Sequence, residues 1–231
     1  MPVVFGQLVL VAVIGYLWGS LPPGYWAGKL MKGKNFDIRD YGSHKTGATN
    51  VNRVLGKGAA AVVFVLDLSK GIAPVLLAQY VPFLHALGWG PAVAGLAALL
   101  GHRAPIFIGF QGGRGVLTGA GAMLVISLPV SALIFLIGLV ATIGTVALSR
   151  YVSLGSLIGC LAVAACGVIF FINGWINLPS AIFMVLAAMV VIIFHYDNIG
   201  RLLSGKERKL GQKEAVNTSP TPGATSTSTS G

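Results

Sequence analysis

The stretch Val130–Leu148, VSALIFLIGLVATIGTVAL, carries no Asp, Glu, Lys or Arg. At 1.5 Å per residue a helix of this length measures about 28 Å, close to the hydrocarbon thickness of a bilayer. Backbone exposed to lipid must satisfy its own hydrogen bonds, so the run reads as a membrane-spanning helix. The same pattern recurs on both sides of it. Val3–Leu21, Ala59–Tyr80, Pro91–Ile108, Val116–Leu128, Leu154–Ile172 and Ala181–Tyr196 are the other candidate spans. Val116–Leu128 is short and glycine-rich, which suits a tilted or re-entrant segment. The expected fold class is all-α, a polytopic membrane protein of about seven transmembrane helices, with five as the lower count. The first run is expected to be a true helix and not a removed signal, since no cationic segment precedes it and no small-residue cleavage site follows.

Composition agrees with this reading. Of 231 residues 55% are hydrophobic and only 10% charged, at a mean hydropathy of +0.82. A soluble domain carries about a quarter charged residues. A disulfide scaffold is excluded as well, because Cys160 and Cys166 are the only cysteines and share one apolar run. They read as buried structural thiols. The net charge of +10 is decided by position. Fifteen of the sixteen Lys and Arg fall within Lys29 to Lys57, Arg103 to Arg114, Arg150, and Arg201 to Lys213. The alternate connections, Val81–Gly90, the turn at Pro129 and Phe171–Ser180, carry no charge. The positive-inside rule then places the N-terminus outside and the C-terminus in the cytoplasm. The cations face a membrane surface and its lipids, and nucleic acid is not an expected partner.

Three segments on that same side hold most of the reactive side chains. The first runs from Asp37 to Arg53. Gly42 and Gly47 let the backbone turn N–H groups toward an anion, and Ser43, Thr46, Thr49 and Asn50 add side-chain donors. The second is Gly101-His102-Arg103-Ala104-Pro105 followed by Gln111-Gly112-Gly113-Arg114-Gly115, which opens a helix. Glycines with a cation at a helix N-terminus form a phosphate cradle in physical terms, although glycines also serve close helix packing. No Walker ending follows, so no nucleotide triphosphate is implied. The third is His195-Tyr196-Asp197-Asn198, where His195 and Asn198 share a helix face. Within a span, Asp67 and Lys70 are expected to form a structural ion pair.

What is missing narrows the chemistry. Six scattered acidic residues give no Mg²⁺ or Ca²⁺ cluster, and the thiols and histidines have no zinc spacing. No histidine is followed, after four residues, by aspartate, and no G-x-S-x-G elbow occurs. The expectation is chemistry without metal, cofactor or triad.

These motifs together resemble the bacterial membrane glycerol-3-phosphate acyltransferases that use acyl phosphate, the PlsY family. The resemblance runs from Gly19-Ser20-Leu21-Pro22 through Asp37-Ile38-Arg39, Gly42-Ser43, Gly47-Ala48-Thr49-Asn50 and Arg53-Val54-Leu55-Gly56. It continues through Asp67, Lys70-Gly71, Gly101-His102, Pro105, Gly112-Gly113-Arg114-Gly115 and Arg150-Tyr151-Val152-Ser153. It ends with His195, Asn198, Arg201-Leu202 and Gly205-Lys206-Glu207. It implies a transmembrane acyltransferase domain over residues 1–212, and the Ser/Thr/Pro/Gly composition of residues 213–231 reads as a disordered low-complexity cytoplasmic tail. The implied substrates are acyl phosphate and glycerol 3-phosphate, and the products lysophosphatidic acid and inorganic phosphate, in phospholipid biosynthesis at the cell inner membrane.

By position the resemblance implies Ser43, Arg53, His195 and Asn198 as catalytic. Gly42, Gly47, Thr49, Asn50, Gly112, Gly113, Arg114 and Gly115 are the implied phosphate-binding residues. Two positions depart from the family's pattern. Arg114 stands where the family usually has lysine, so a planar fork replaces a point charge. Tyr196 and Asp197 fill a third motif that usually reads His-Arg-x-Asn. A membrane transporter of a phosphate ester is the alternative from another class. It calls for polar groups near the midplane, whereas these cluster at one interface.

Overall fold

A computed structural model describes residues 1–212; the tail expected over 213–231 lies outside the described residues. The described chain is helical, with no strand among those residues. Its helices are α1 (Pro2–Gly19), α2 (Pro23–Lys32), α3 (Ala48–Val54), α4 (Lys57–Tyr80), α5 (Gly90–Arg103), α6 (Val116–Val125), α7 (Val130–Ser149), α8 (Val152–Ile172), α9 (Leu178–Phe194) and α10 (Tyr196–Leu203). Each expected span has its helix, with ends displaced by a few residues. Five spans are long and apolar enough to cross a membrane, the first taking in Pro2–Lys32, and α9 with α10 makes a sixth, bent by 60° at His195. The seventh, α6, is shorter. Its ten residues cover about 15 Å, half a hydrocarbon core.

The short helix has a structural consequence. Ser127, just past the end of α6, meets Ser180 at the start of α9, Oγ to Oγ at 2.7 Å. This contact ties the end of α6 to the start of α9. At the rim itself, Tyr16 donates to the Ala104 carbonyl at 2.7 Å and the Leu210 N–H donates to the Arg150 carbonyl at 2.7 Å. These bonds tie the ends of α1, α5, α7 and the chain after α10 to one side.

Packing follows from small residues and one apolar core. Helices α1 and α5, α4 and α6, and α7 and α8 are the closest pairs. Against α6, Gly71 of α4 sits where a Cβ would run into the Thr118 carbonyl, and Gly121 of α6 reciprocates against the Leu68 carbonyl. Such close approach is how helices associate where lipid removes the hydrophobic drive. Val75, Leu99, Ala122, Ile134, Phe183 and Met184 are wholly buried between α4, α5, α6, α7 and α9. Large apolar side chains such as Phe5, Val65, Val140 and Ile193 face outward, as a lipid-facing surface requires. A second small cluster, Ile38, Val51 and Val63 with Phe36 and Val54 against it, pins the polar segment before α3 onto α4. Cys160 and Cys166 are unpaired and half-buried on α8.

Gly71→Val is expected to lower the thermal midpoint in detergent by an amount equivalent to about 1–3 kcal/mol of overpacking. Gly144→Val, on α7 with open space around it, serves as the control and costs less than about 0.5 kcal/mol.

Candidate active site

The three polar segments meet in one cavity of about 610 Å³ at the rim of the bundle. The first contributes Gly42, Ser43, His44, Lys45, Gly47, Ala48, Thr49, Asn50 and Arg53. The second contributes Arg114 and Gly115, and the third His195, Asn198, Arg201, Glu207 and Arg208. Deeper, the wall changes character: Met123 of α6, Phe135 and Leu139 of α7, Val163 of α8 and Met184 of α9 line it. A cationic mouth thus continues into an apolar cleft between helices.

The first segment is organised by Asn50, which is 1% exposed. Its Oδ1 accepts from the Ser43 N–H at 2.8 Å, and its Nδ2 donates to the carbonyls of Tyr41 at 3.0 Å, Lys45 at 2.9 Å and Ile38 at 3.2 Å. An amide has two N–H donors, and these carbonyls take up both. Asn50 braces the loop from a place on the cavity wall. Gly42, at φ +63°, accepts a left-handed turn, and a Cβ there would strike Asn50 Oδ1. Ser43, Thr49 and Arg53 also line the cavity.

The second segment is braced in a similar way. Gly112 and Gly113 do not line the cavity. Their N–H groups donate to the carbonyls of Arg103 and His102, both at 3.1 Å, and a Cβ on Gly113 would meet the His102 ring. They shape the turn. Arg114 is what the turn presents, directly before the N-terminus of α6. Burial pushes its guanidinium down to about 10 and the nearby Arg201 adds to this, so it stays charged at neutral pH. Its Nε is buried with no hydrogen-bond partner among the described residues.

In the third segment His195 caps α9, 2% exposed, with Nδ1 2.7 Å from the Val191 carbonyl. A carbonyl only accepts, so the proton is on Nδ1 and the Nε2 lone pair is the ring's remaining function. Asn198 Nδ2 donates to Glu207 Oε1 at 2.7 Å, while its Oδ1 is buried without a hydrogen-bond partner among the described residues. Glu207 also accepts from the Ser153 hydroxyl at 2.7 Å and from Arg201 Nε at 2.7 Å. Burial would raise its carboxyl, but these three hydrogen bonds outweigh it and hold the group below the usual carboxylate range. Neither Glu207 nor Ser153 was singled out for a role from sequence. The available signal was an acid standing alone in a basic segment. Lys45, Asp67 and His102 also reach the cavity wall. No group of three or more metal-ligating side chains occurs among the described residues.

A cationic site joined to an apolar cleft between helices, in a helical multi-pass bundle, defines a class of integral membrane protein with a polar pocket opening onto apolar walls. The chain belongs to the glycerol-3-phosphate acyltransferase family, whose model matches residues 9–205. It is 41% identical over 209 residues to a glycerol-3-phosphate acyltransferase of Thermoanaerobacter sp. (strain X514), covering 90% of this chain and 98% of that one. It is 42% identical over 217 residues to glycerol-3-phosphate acyltransferase 3 of Dehalococcoides mccartyi, covering 90% and 97%. Two crystal structures of PlsY (YgiH), an integral membrane glycerol 3-phosphate acyltransferase, are similar at 33% identity. Its glycerol 3-phosphate form matches with a TM-score of 0.77 over 88% of this chain and 96% of that one. Its lysophosphatidic acid form matches at 0.75 over 88% and 95%.

Because Glu207 is held ionised by its neighbours, Glu207→Gln is expected to destabilise the protein in detergent at pH 7 by about 1–3 kcal/mol. The folded carboxyl lies below its unfolded value of about 4.3, so the gap from wild type is full above that pH. Thermal scans from pH 7 to pH 3 should show the two proteins converging as pH falls through the folded value.

Proposed function

We propose that this protein transfers an acyl group from acyl phosphate to the primary hydroxyl of sn-glycerol 3-phosphate. Lysophosphatidic acid and inorganic phosphate are the products, formed at the cytoplasmic face of a bacterial inner membrane. The observation that carries the reading is the cavity where Arg53 and Arg114, from separate segments, meet His195 and Asn198 above an apolar cleft. Two phosphate-bearing anions repel, and cations fixed in a low-dielectric site offset that repulsion. Membership of the family and the substrate named for the crystallised relative support the acceptor. The distribution of Lys and Arg along the chain supports the orientation.

In this reading the acyl chain lies along Met123, Phe135, Leu139, Val163 and Met184, which brings the mixed anhydride to the rim. Arg114 and the α6 N-terminus hold one phosphate, and Arg53 with the Ser43 and Thr49 hydroxyls holds the other. The Asn198 Oδ1 and the His195 Nε2 lone pair are acceptors, one for each of the two hydroxyls of glycerol 3-phosphate, and so orient the glycerol. The primary hydroxyl oxygen attacks the acyl carbonyl carbon, a new ester C–O bond forms, and the C–O bond to phosphate breaks. The hydroxyl proton passes to a phosphate oxygen. Phosphate is a good leaving group, so positioning and charge neutralisation supply most of the catalysis.

Purified protein in detergent, given palmitoyl phosphate and glycerol 3-phosphate without metal, should release inorganic phosphate only when both are present. Uptake of glycerol 3-phosphate into vesicles without phosphate release would overturn the reading in favour of a transporter. Arg53→Ala should lower kcat/KM at least about 10²–10³-fold while the protein still inserts and folds. Arg114→Lys should keep substantial activity if charge is what counts. His195→Gln should lower kcat without changing the shape of the pH profile; loss of an acid-side limb would instead make His195 a base.

A further inference from the structure

Asp67, Lys70 and His102 form a buried polar cluster that the proposed transfer does not use; they are 2%, 4% and 5% exposed. Lys70 Nζ lies 2.9 Å from Asp67 Oδ1, donates to the Leu21 carbonyl at 2.8 Å and lies 2.9 Å from His102 Nδ1. His102 Nδ1 also lies 3.5 Å from Asp67 Oδ1; beside a charged Lys70, which only donates, Nδ1 accepts and the ring proton is on Nε2. Nε2 is also the atom of the ring that stands nearest to where a Cβ on Gly113 would be. The backbone reinforces the contact, since the carbonyls of His102 and Arg103 accept from the N–H groups of Gly113 and Gly112. From the other side Thr118 of α6 donates to the Asp67 carbonyl at 3.0 Å. The cluster therefore grips both flanks of Arg114, the glycine turn before it and the helix after it.

Glycines cannot fix a turn by themselves, because they have the widest choice of backbone conformations. Something outside Gly112 and Gly113 must select one; Gly113 faces the His102 ring and carbonyl, and Gly112 the carbonyls of His102 and Arg103 and the Pro105 ring. We propose that His102, held as the Nε2–H tautomer by the Lys70–Asp67 pair, is a positioning residue that sets this turn and so aims Arg114 into the cavity. The inference rests on the proposed transfer only for what Arg114 holds, a phosphate group. The ion pair expected from sequence thus gains a third member and a purpose beyond orienting α4.

The test is a double-mutant cycle with two readouts, inorganic phosphate affinity and kcat/KM, run alongside thermal midpoints in detergent. His102→Asn keeps an acceptor for Lys70 but removes the Nε2 edge, and His102→Gln restores a donor near that position. His102→Asn is expected to weaken both readouts about 30- to 100-fold with the midpoint nearly unchanged, as a displaced binding group does. His102→Gln should recover most of that loss. In an Arg114→Gln background, where little charge remains to be aimed, His102→Asn should cost less than about twofold more. Equal losses in both backgrounds, or unchanged phosphate affinity in His102→Asn, would overturn the proposal. Should His102→Asn fail to fold, Gly113→Ala perturbs the same turn from the loop side and is expected to show the same dependence on Arg114. A protein that binds phosphate normally yet transfers no acyl group would remove the proposed reaction alone, because phosphate affinity reads Arg114 without turnover.

Discussion

Irregular backbone at the edge of a membrane must find all its hydrogen bonds within the protein, since hydrocarbon offers none and each orphaned group costs several kcal/mol. That constraint shapes the site. The Asp37–Arg53 segment would expose a row of carbonyls if Asn50 did not collect those of Ile38, Tyr41 and Lys45. The glycine turn before Arg114 would leave two N–H groups unpaired if α5 did not end on carbonyls that receive them. In both loops the polar residue with the richest bonding is a brace.

With the loops satisfied, few polar atoms remain for chemistry, and they are complementary. Arg114 Nε is a donor with positive charge, Asn198 Oδ1 is an acceptor, and His195 Nε2 carries a lone pair. An anion and a hydroxyl are the two groups such a set can receive together. Glu207 does not compete for the substrate, because Ser153, Asn198 and Arg201 occupy its oxygens. Its negative charge also moderates the repulsion between Arg114 and Arg201. The site stays cationic enough for phosphate without the cations driving the loops apart.

Most of the fold was legible in the sequence because membrane spans are written locally, as length and hydropathy. The expected ends of Val130–Leu148 and Leu154–Ile172 fall within two residues of α7 and α8. The site was legible by segment but not by atom. That the Arg114 and His195 segments share one side followed from the distribution of Lys and Arg, and that they share one site was what the family resemblance implied. Which of their groups remain open for a ligand depends on partners far along the chain, such as His102 for Gly113 and Glu207 for Asn198. Asn50 shows the difficulty most plainly, since an asparagine that binds a ligand and one that braces a loop look alike in a sequence. The short span was visible as a glycine-rich anomaly, but its tie to α9 through Ser127 and Ser180 was not.

The two departures from the family's pattern act on one another. A lysine in the place of Arg114 would be a compact, strongly hydrated charge, whereas a guanidinium is more weakly hydrated and tolerates burial better. Arg114 is indeed deep enough that burial is the largest influence on its proton affinity. The third motif, which usually carries a cation after its histidine, here has an exposed Tyr196 and then Asp197. Asp197 favours the charged form of Arg114. The chain thus keeps a desolvated guanidinium fork beside an acidic neighbour, in a motif with one cation fewer. Such a site relies more on hydrogen-bond geometry and less on summed charge, which makes the turn that aims Arg114 correspondingly important.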